Sequence, residues 1–366
     1  MTIVAITGLH RGDNPQPGAA VAASLRRRFP DLRVVGLCYD PLESALYSCD
    51  GSRPDSAYLL PYPGVGSEAL LERLDEILKR EKIDFVIPCL DSEIANYIAI
   101  EPELRKRGIG CALPTKEALD ARAKVNLPEF CRRLSILTLR TESANDPETL
   151  AARAEEIGYP VYVKGRLYEA HLATSRRELY EAYDKIASVW GGPVLVQESV
   201  IGEEYDIVGL GDGEGRIVGS CAIRKMLRTS AGKGFAGVVV DNPELDDLAR
   251  HIIGGLRWNG PFELEFIKVQ HKPYALFEMN PRFPAWVDFP SQIGCNLPAR
   301  QLESLLHATP TALRICSAGQ MFIRHSIDLV ADIADVAEMV TTGERVRPLA
   351  NTRSDADAKP ELELVK

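Results

Sequence analysis

Phe262-Glu263-Leu264-Glu265-Phe266, and after it Phe277-Glu278-Met279-Asn280-Pro281-Arg282, is the stretch on which the reading turns. Each piece reads as a β-strand, and a polar turn containing Gln270 to Lys272 joins them. Alternation puts Glu263 and Glu265 on one face and Leu264 and Phe266 on the other; Glu278 and Asn280 likewise share a face. If the strands pair as a hairpin, carboxylates and an amide oxygen converge on one patch. An all-oxygen set of that kind suits Mg²⁺ held between protein and phosphates. Arg282, just past the second strand, offers a planar fork of donors to a phosphoryl oxygen or a carboxylate. Glu278 is flanked by Leu276, Phe277 and Met279, where an isolated carboxylate would be costly to bury. The competing reading is a solvated strand face with a turn arginine. For Glu263 alone the two readings stay level.

Two further segments place charge at strand ends. Pro160-Val161-Tyr162-Val163-Lys164 is a buried-type strand ending in a lysine, which can reach a polyphosphate as a point charge. Val194 to Glu198 is an apolar strand that runs into Ser199-Val200-Ile201-Gly202-Glu203-Glu204-Tyr205. A linker of this kind between two lobes can read a purine through backbone groups while a carboxylate accepts from ribose hydroxyls. Glu203 and Glu204 are adjacent, so one of them suffices.

Upstream, Ile3 to Thr7 reads as a strand, Ala19 to Arg28 as a helix and Leu32 to Leu37 as a second strand. This opening favours a parallel sheet. Leu70 to Lys82 has apolar residues at helical spacing, and Phe85 to Pro88 is a strand ending in Cys89-Leu90-Asp91-Ser92-Glu93. Ligands of open α/β sheets gather at such carboxyl ends, so the loop Gly8 to Gly18 with Asp91, Ser92 and Glu93 is a candidate acceptor pocket. Pro114-Thr115 starts a helix expected to run toward Arg133; Asn145-Asp146-Pro147 starts another. Arg176 to Val189 and Asp246 to Trp258 read as helices, and Tyr205 to about Val240 as strands around the turn Asp212 to Gly215. Near the end come a strand, Met321 to Ser326, a helix, Ile333 to Val340, and a polar tail from Arg345.

The chain has 366 residues, enough for two or three domains. With 45% hydrophobic and 26% charged residues, it is neither disordered nor collagen-like. No apolar run reaches membrane-spanning length, and no basic region precedes the first apolar stretch, so no secretory signal is read there. The 43 basic residues against 52 acidic ones give a net charge of −9, which argues against nucleic acid as the main partner. Eight cysteines are scattered without Cys-x-x-Cys spacing, the usage of free thiols in a reducing cytosol. Gly8 to Gly18 lacks the Gly-x-Gly-x-x-Gly fingerprint of nicotinamide cofactors.

The order Lys124, Lys164, Gln197-Glu198, Gly202-x-Glu204, Glu265 and Glu278-x-Asn280-Pro281-Arg282 resembles the ATP-grasp superfamily of ligases. Within it, the chain resembles the carbamoyl-phosphate-synthase-like and biotin-carboxylase-like members, over about residues 1 to 310, and no motif singles out one member. The resemblance implies a mixed α/β and α+β ATP-grasp fold with two lobes enclosing ATP. Its expected parts are an N-terminal α/β domain at 1–112, a small lobe at 113–193, a large lobe with the metal site at 194–310, and a C-terminal extension and tail at 311–366. It implies that Lys124 and Lys164 contact nucleotide phosphates, that Glu198 and Val200 flank adenine beside Gln197, and that Glu204 takes the ribose. Glu265, Glu278 and Asn280 would hold two Mg²⁺ ions, with Mn²⁺ a substitute, and Arg282 would stabilise an acyl phosphate, with Lys225 as a second catalytic cation. The implied activity is a cytoplasmic ADP-forming carboxylate–amine ligase acting on small-molecule or peptide substrates, in which a homodimer is a common form. ATP-dependent activation of bicarbonate and a catalytically silent nucleotide-binding module are the alternatives.

One departure stands out. Family members often follow the second lysine with a glycine-rich loop, whereas here Gly165-Arg166-Leu167-Tyr168-Glu169-Ala170-His171 holds one glycine. Arg224-Lys225 through Gly232-Lys233-Gly234-Phe235-Ala236-Gly237 is basic and glycine-rich and is the candidate cover for the phosphates. His171 reads as a surface histidine. Phe283, Pro284 and Trp286 read either as core or as the wall of the acyl-phosphate pocket.

Overall fold

Apolar runs without alternation open the chain, and they become strands buried on both faces. In a computed structural model, which describes residues 1–12, 14–229 and 232–346, β1 (Ile3–Thr7), α1 (Gly18–Arg28), β2 (Arg33–Cys38), β3 (Ser56–Leu59), α2 (Ser67–Leu78), β4 (Phe85–Ile87) and α3 (Ile94–Lys106) form the first unit. The four strands pair in parallel in the order β3-β2-β1-β4. Val21, Ala22 and Leu25 of α1 cover one face. Leu70, Leu74 and Ile77 of α2, with Ile94, Tyr97 and Ile100 of α3, cover the other.

The second unit contains α4 (Lys116–Ala121), α5 (Leu127–Arg133), β5 (Thr141–Ala144), α6 (Pro147–Ile157), β6 (Val161–Lys164), β7 (Ala170–Ala173), α7 (Arg176–Trp190) and β8 (Val194–Glu198). The helix expected from Thr115 toward Arg133 is two helices. Pro128 lacks the N–H a continuous helix would need and sits instead in the first turn of α5. Asp146 caps α6 by accepting from Thr149 N at 2.8 Å. The sheet order is β5-β8-β6-β7, antiparallel throughout. Val161, Val163, Val194 and Val196 point at α6 and α7, which leaves Lys164 and Gln197 on the opposite face. Because β8 belongs to this sheet, we propose ending the small lobe after Glu198 rather than at 193.

The third unit is β9 (Glu203–Asp212), β10 (Ile217–Arg228), β11 (Gly234–Val239), α8 (Pro243–Leu256), β12 (Asn259–Lys268), β13 (Tyr274–Asn280), α9 (Asp288–Gln292), α10 (Leu297–Leu305) and β14 (Met321–Ile323). Its antiparallel sheet runs β13-β12-β9-β10-β11-β14. Leu245, Ala249, Ile252 and Ile253 of α8 bury one face against Ile207, Leu264 and Phe266. After α11 (Ile333–Thr342), β15 (Glu344–Val346) returns to the first sheet and pairs antiparallel with β3. The start of the expected polar tail, Arg345, is therefore an edge-strand residue, and its side chain is buried. The tail beyond Val346 lies outside the described residues.

Candidate functional site

The hairpin forms in the register that alternation requires. Glu263 pairs with Asn280, Leu264 with Met279 and Glu265 with Glu278. On the other side of β12, Glu265 faces Asp206 and Glu263 faces Val208 of β9. Leu264 and Phe266 are fully buried, so the acids share the free face of the large sheet. Asn280 Nδ2 donates to Glu263 Oε2 and to Glu265 Oε1, each at 3.0 Å. That ties three members of the motif into one patch.

Cations neutralise this patch. Lys225 Nζ lies 2.6 Å from Glu265 Oε2, 3.0 Å from Asp206 Oδ1 and 3.4 Å from Glu204 Oε2, and its side chain is 3% exposed. Burial works against the ammonium, but Asp206, Glu265 and Glu204 hold its pKa well above that of a free lysine. Burial raises the Glu265 carboxyl, and Glu263 and Glu278 add to that against the opposing pull of Lys225. Lys225 was expected in a loop over the phosphates. It is instead inside β10, and the segment 224–237 is mostly the β10–β11 hairpin. Ser230 and Ala231 of that segment lie outside the described residues.

Lys124 Nζ forms an ion pair with Glu278 Oε1 at 3.2 Å and donates to Leu167 O at 3.1 Å. Lys164, from the small sheet, donates to Gln197 Oε1 at 2.7 Å and sits 5.6 Å from the Phe277 ring centre. It therefore spans the gap between the two sheets. Burial pushes its pKa down to about 8 despite Glu278 nearby. Glu278 itself is held below the usual carboxylate range: burial opposes ionisation, and Lys124 and Lys164 overcome it.

Arg282 donates to Asp91 Oδ2 at 2.8 Å and to Glu263 Oε2 at 3.0 Å. Asp91 also meets Arg122 NH1 at 3.5 Å, and Arg122 donates to Met279 O at 3.3 Å. The end of β4 and the end of β13 are thus joined by Arg282–Asp91–Arg122. Ser92 faces Tyr168, whose hydroxyl donates to Ser92 Oγ at 3.2 Å. Glu93 does not join the expected pocket. It is fully buried and accepts from Thr7, Tyr39 and the Cys89 and Leu90 amides. Trp286 is core and site wall at once: it is buried beside Phe283 and donates to Glu263 Oε1 at 3.2 Å.

Of the nucleotide-end residues, Glu198 Oε1 accepts from Arg140 N at 2.8 Å, and Val200 packs against Leu139, Ile267 and Ala275. Glu204 forms an ion pair with Arg228, while Glu203 faces Arg224 at 2.7 Å, so the two adjacent acids diverge. His171 is half-exposed, 3.3 Å from Glu169.

Residues not singled out from sequence complete the corner. Asp206 of β9 is buried, flanked by Tyr205 and Ile207, an acid between apolar neighbours and so a legible signal. Arg324, just after β14, is half-buried, and its amide donates to Phe235 O at 2.8 Å. It adds positive charge beside Lys233, whose pKa burial and Arg282 push down to about 8. Lys233 Nζ donates to Pro15 O at 2.8 Å, which brings the N-terminal loop to the same corner.

Mg²⁺ fits this donor set. Two facing carboxylates and an amide are present, and lysine ammoniums now sit where divalent charge would be shared. Among the described residues no group of three or more Asp, Glu, His or Cys side chains is arranged to hold an ion alone. A Mg²⁺ site of this kind uses one or two carboxylates together with substrate phosphates. A separate cavity of about 330 Å³, lined by residues that include Arg216, Asp246 and Arg250, holds none of these groups. No helix among the described residues is long and apolar enough to cross a membrane.

No family model matches the chain. The carbamoyl phosphate synthase arginine-specific large chain of Halalkalibacterium halodurans is 25% identical over 228 residues, covering 58% of this chain and 21% of that protein. The chain thus spans about a fifth of that relative's length. Among solved structures, the biotin carboxylase domain of Hydrogenobacter thermophilus 2-oxoglutarate carboxylase, in complex with MgADP, ADP and bicarbonate, aligns with a TM-score of 0.63 and 17% identity, covering 83% of this chain and 69% of that one. N5-carboxyaminoimidazole ribonucleotide synthetase from Thermus thermophilus gives 0.62 and 16%, covering 87% and 81%. L-Amino acid ligase from Bacillus licheniformis gives 0.62 and 14%, covering 85% and 75%. At these identities the likeness to the solved structures is one of fold.

Proposed function

We propose that this chain, whose fold is the ATP-grasp fold, is a cytoplasmic ADP-forming ligase that joins a carboxylate to an amine through an acyl phosphate. The observation that carries the reading is the in-register pair Glu265–Glu278 with Asn280, faced by Lys124 and Lys164 and flanked by Arg282. A substrate carboxylate attacks the γ-phosphate of ATP, ADP leaves, and the amine then displaces phosphate from the acyl carbon. The protein contributes positioning and charge in such phosphoryl transfer. Lys124 and Lys164 receive phosphate oxygens; Gln197, Glu198, Val200 and Glu204 line the adenosine end. Glu265, Glu278 and Asn280 hold Mg²⁺, two ions in this reading with Mn²⁺ as a substitute; when bound, the metal offsets charge on the phosphates. Arg282, with Lys233 and Arg324 beside it, receives the acid and its phosphorylated form. Lys225 keeps Glu265 and Asp206 compatible in one buried patch.

Thermal unfolding with and without ATP and Mg²⁺ tests the site. A ligand at 100 times its dissociation constant adds about 2.7 kcal/mol to the folded state. A metal-dependent rise in midpoint that Glu278→Ala abolishes is the expected result; no rise in the wild type overturns the nucleotide assignment. The likeness to a biotin carboxylase domain whose structure holds bicarbonate supports a second reading, with bicarbonate as the acid. ADP release screened with amino acids, peptides and bicarbonate separates the two.

A further inference from the structure

Three cysteines that the ligase reading does not use, Cys221, Cys295 and Cys316, are buried in one apolar cluster. They come from three places: Cys221 from β10, Cys295 from the turn between α9 and α10, and Cys316 from the segment 307–320 that leads to β14. That segment has no helix or strand, and within it only Leu313 and Cys316 are not exposed. It lies across the large sheet like a strap. Leu313 rests on Gly219 of β10, where an added Cβ would come within 2.4 Å of its side chain. Arg314 lies over Gly294, with its amide donating to Gly294 O at 3.1 Å. Cys295 Sγ is 3.7 Å from Ser220 O, beside Cys221. The two glycines let the strap sit close enough for its one buried cysteine to meet the other two thiols.

We propose that Cys316 is a thiol-modification site: a low-molecular-weight disulfide oxidises it, and its sulfur then pairs with Cys221 or Cys295, fastening the strap to the large sheet. The three thiols share one buried cluster, and their mutual proximity draws the Cys316 thiol below its ordinary pKa while raising those of Cys221 and Cys295. Cys316 lies on the otherwise exposed strap and is the least buried of the three, and the thiolate is the attacking form in disulfide exchange, so Cys316 reacts first. Its sulfur attacks the small disulfide, one small thiolate leaves, and a mixed disulfide forms. Cys221 or Cys295 then loses its proton and attacks the Cys316 sulfur, releasing the second small thiolate. Two protein thiols are oxidised and one small disulfide is reduced to two thiols.

The fastening matters because of what the strap delivers. It ends at β14, where Phe322 stacks on Trp286 at 6.2 Å, and Arg324 follows immediately after that strand. Trp286 binds Glu263. Cys221 itself stands in the row Cys221–Val208–Glu263–Asn280 across the sheet. The thiol trio therefore adjoins the site face, and closing it pins β14, which Arg324 directly follows. This inference does not depend on the ligase reading.

The experiment treats the full-length chain with 2-hydroxyethyl disulfide and maps peptides without reduction. A Cys316–Cys221 or Cys316–Cys295 link is expected, with exposed Cys49 giving only a mixed disulfide. Tryptic cleavage after Arg314 in the native protein should slow by roughly threefold or more, since cleavage requires local detachment of the strap. Reduction should restore it, and Cys316→Ala should abolish both effects. Cys316 left reduced while Cys49 is modified, or a link that leaves cleavage unchanged, overturns the proposal without needing any variant to fold.

Discussion

Carboxylates at the edge of the N-terminal sheet and carboxylates on the face of β12 and β13 are both withdrawn from water, yet they are stabilised in opposite ways. Glu93 accepts from two hydroxyls and two backbone amides. Glu43 accepts from the Leu9, Tyr39 and Asp40 amides. Neutral groups fixed by the local chain satisfy both. Glu265 and Glu278, in contrast, are met by lysines on flexible stems, Lys225 and Lys124. Lysines can move and accept a phosphate in exchange; backbone amides cannot. The first kind of acid holds a loop in place. The second kind is the arrangement expected where metal and polyphosphate displace resident ion pairs.

The sharpest way to break this contrast is to neutralise one acid of each kind. Glu278→Gln should lower ADP formation by about a thousandfold, since it removes a carboxylate from the set that would hold the metal offsetting charge on the transferring phosphate. Glu93→Gln should leave the rate within about threefold of the wild type, because that carboxyl has no path to the phosphates. Steady-state ADP release with the acid and amine that a screen identifies measures both. Equal losses would mean that the two clusters form one catalytic unit and that the contrast is wrong.

A smaller effect sharpens the same point through protons. Lys164 has a pKa near 8 because burial disfavours its charge, and bound phosphates would restore that charge. MgATP affinity should then be flat below about pH 8 and weaken by roughly tenfold by pH 9.5, with proton uptake on binding. Calorimetry at pH 8.5 in two buffers of different ionisation enthalpy reads the uptake directly. Lys164→Arg keeps its charge and should bind without it; uptake persisting in that variant would assign the proton to another group.

The hairpin, the lysine-ended strand and the long helices were legible in the sequence because each is a local pattern with a local cause. Alternation fixes which faces Glu263 with Glu265, and Glu278 with Asn280, share. The four-residue strands β5 and β7 carry too few residues to show a period, and α3 hides its apolar spacing behind Pro102. At the site, Asp91 was legible as a strand-end acid, whereas its partner Arg122 lies at a helix end with nothing local to mark it. Arg324 reaches the same corner from far along the chain. No spacing rule can report an approach that the packing of β14 on β11 creates. Glu93 misled for the converse reason: a strand-end acid looks the same in sequence whether it turns outward to a ligand or inward to Thr7 and Tyr39.

That inward turn leaves a trace in stability rather than in activity. Burial raises the Glu93 pKa to about 7, in spite of the hydroxyls and amides that favour its charged form. In the unfolded chain it titrates near its ordinary value, about 4.3. Between those pH values the folded protein binds the extra proton, so the stability of the wild type falls as pH rises through about 7 and is fully retained below the unfolded value. The fall amounts to about 4 kcal/mol at most, one pKa unit being worth about 1.4 kcal/mol. Glu93→Gln cannot lose a proton there. Its carboxamide accepts fewer hydrogen bonds than the carboxylate, but that cost is constant with pH. The difference in unfolding free energy between variant and wild type should therefore shift toward the variant from pH 5 to pH 8, whatever its starting sign. Urea unfolding at four pH values measures it. Parallel curves would show that Glu93 is ionised in the fold throughout, and the neutral-donor cluster would then be as charged as the face of β12 and β13.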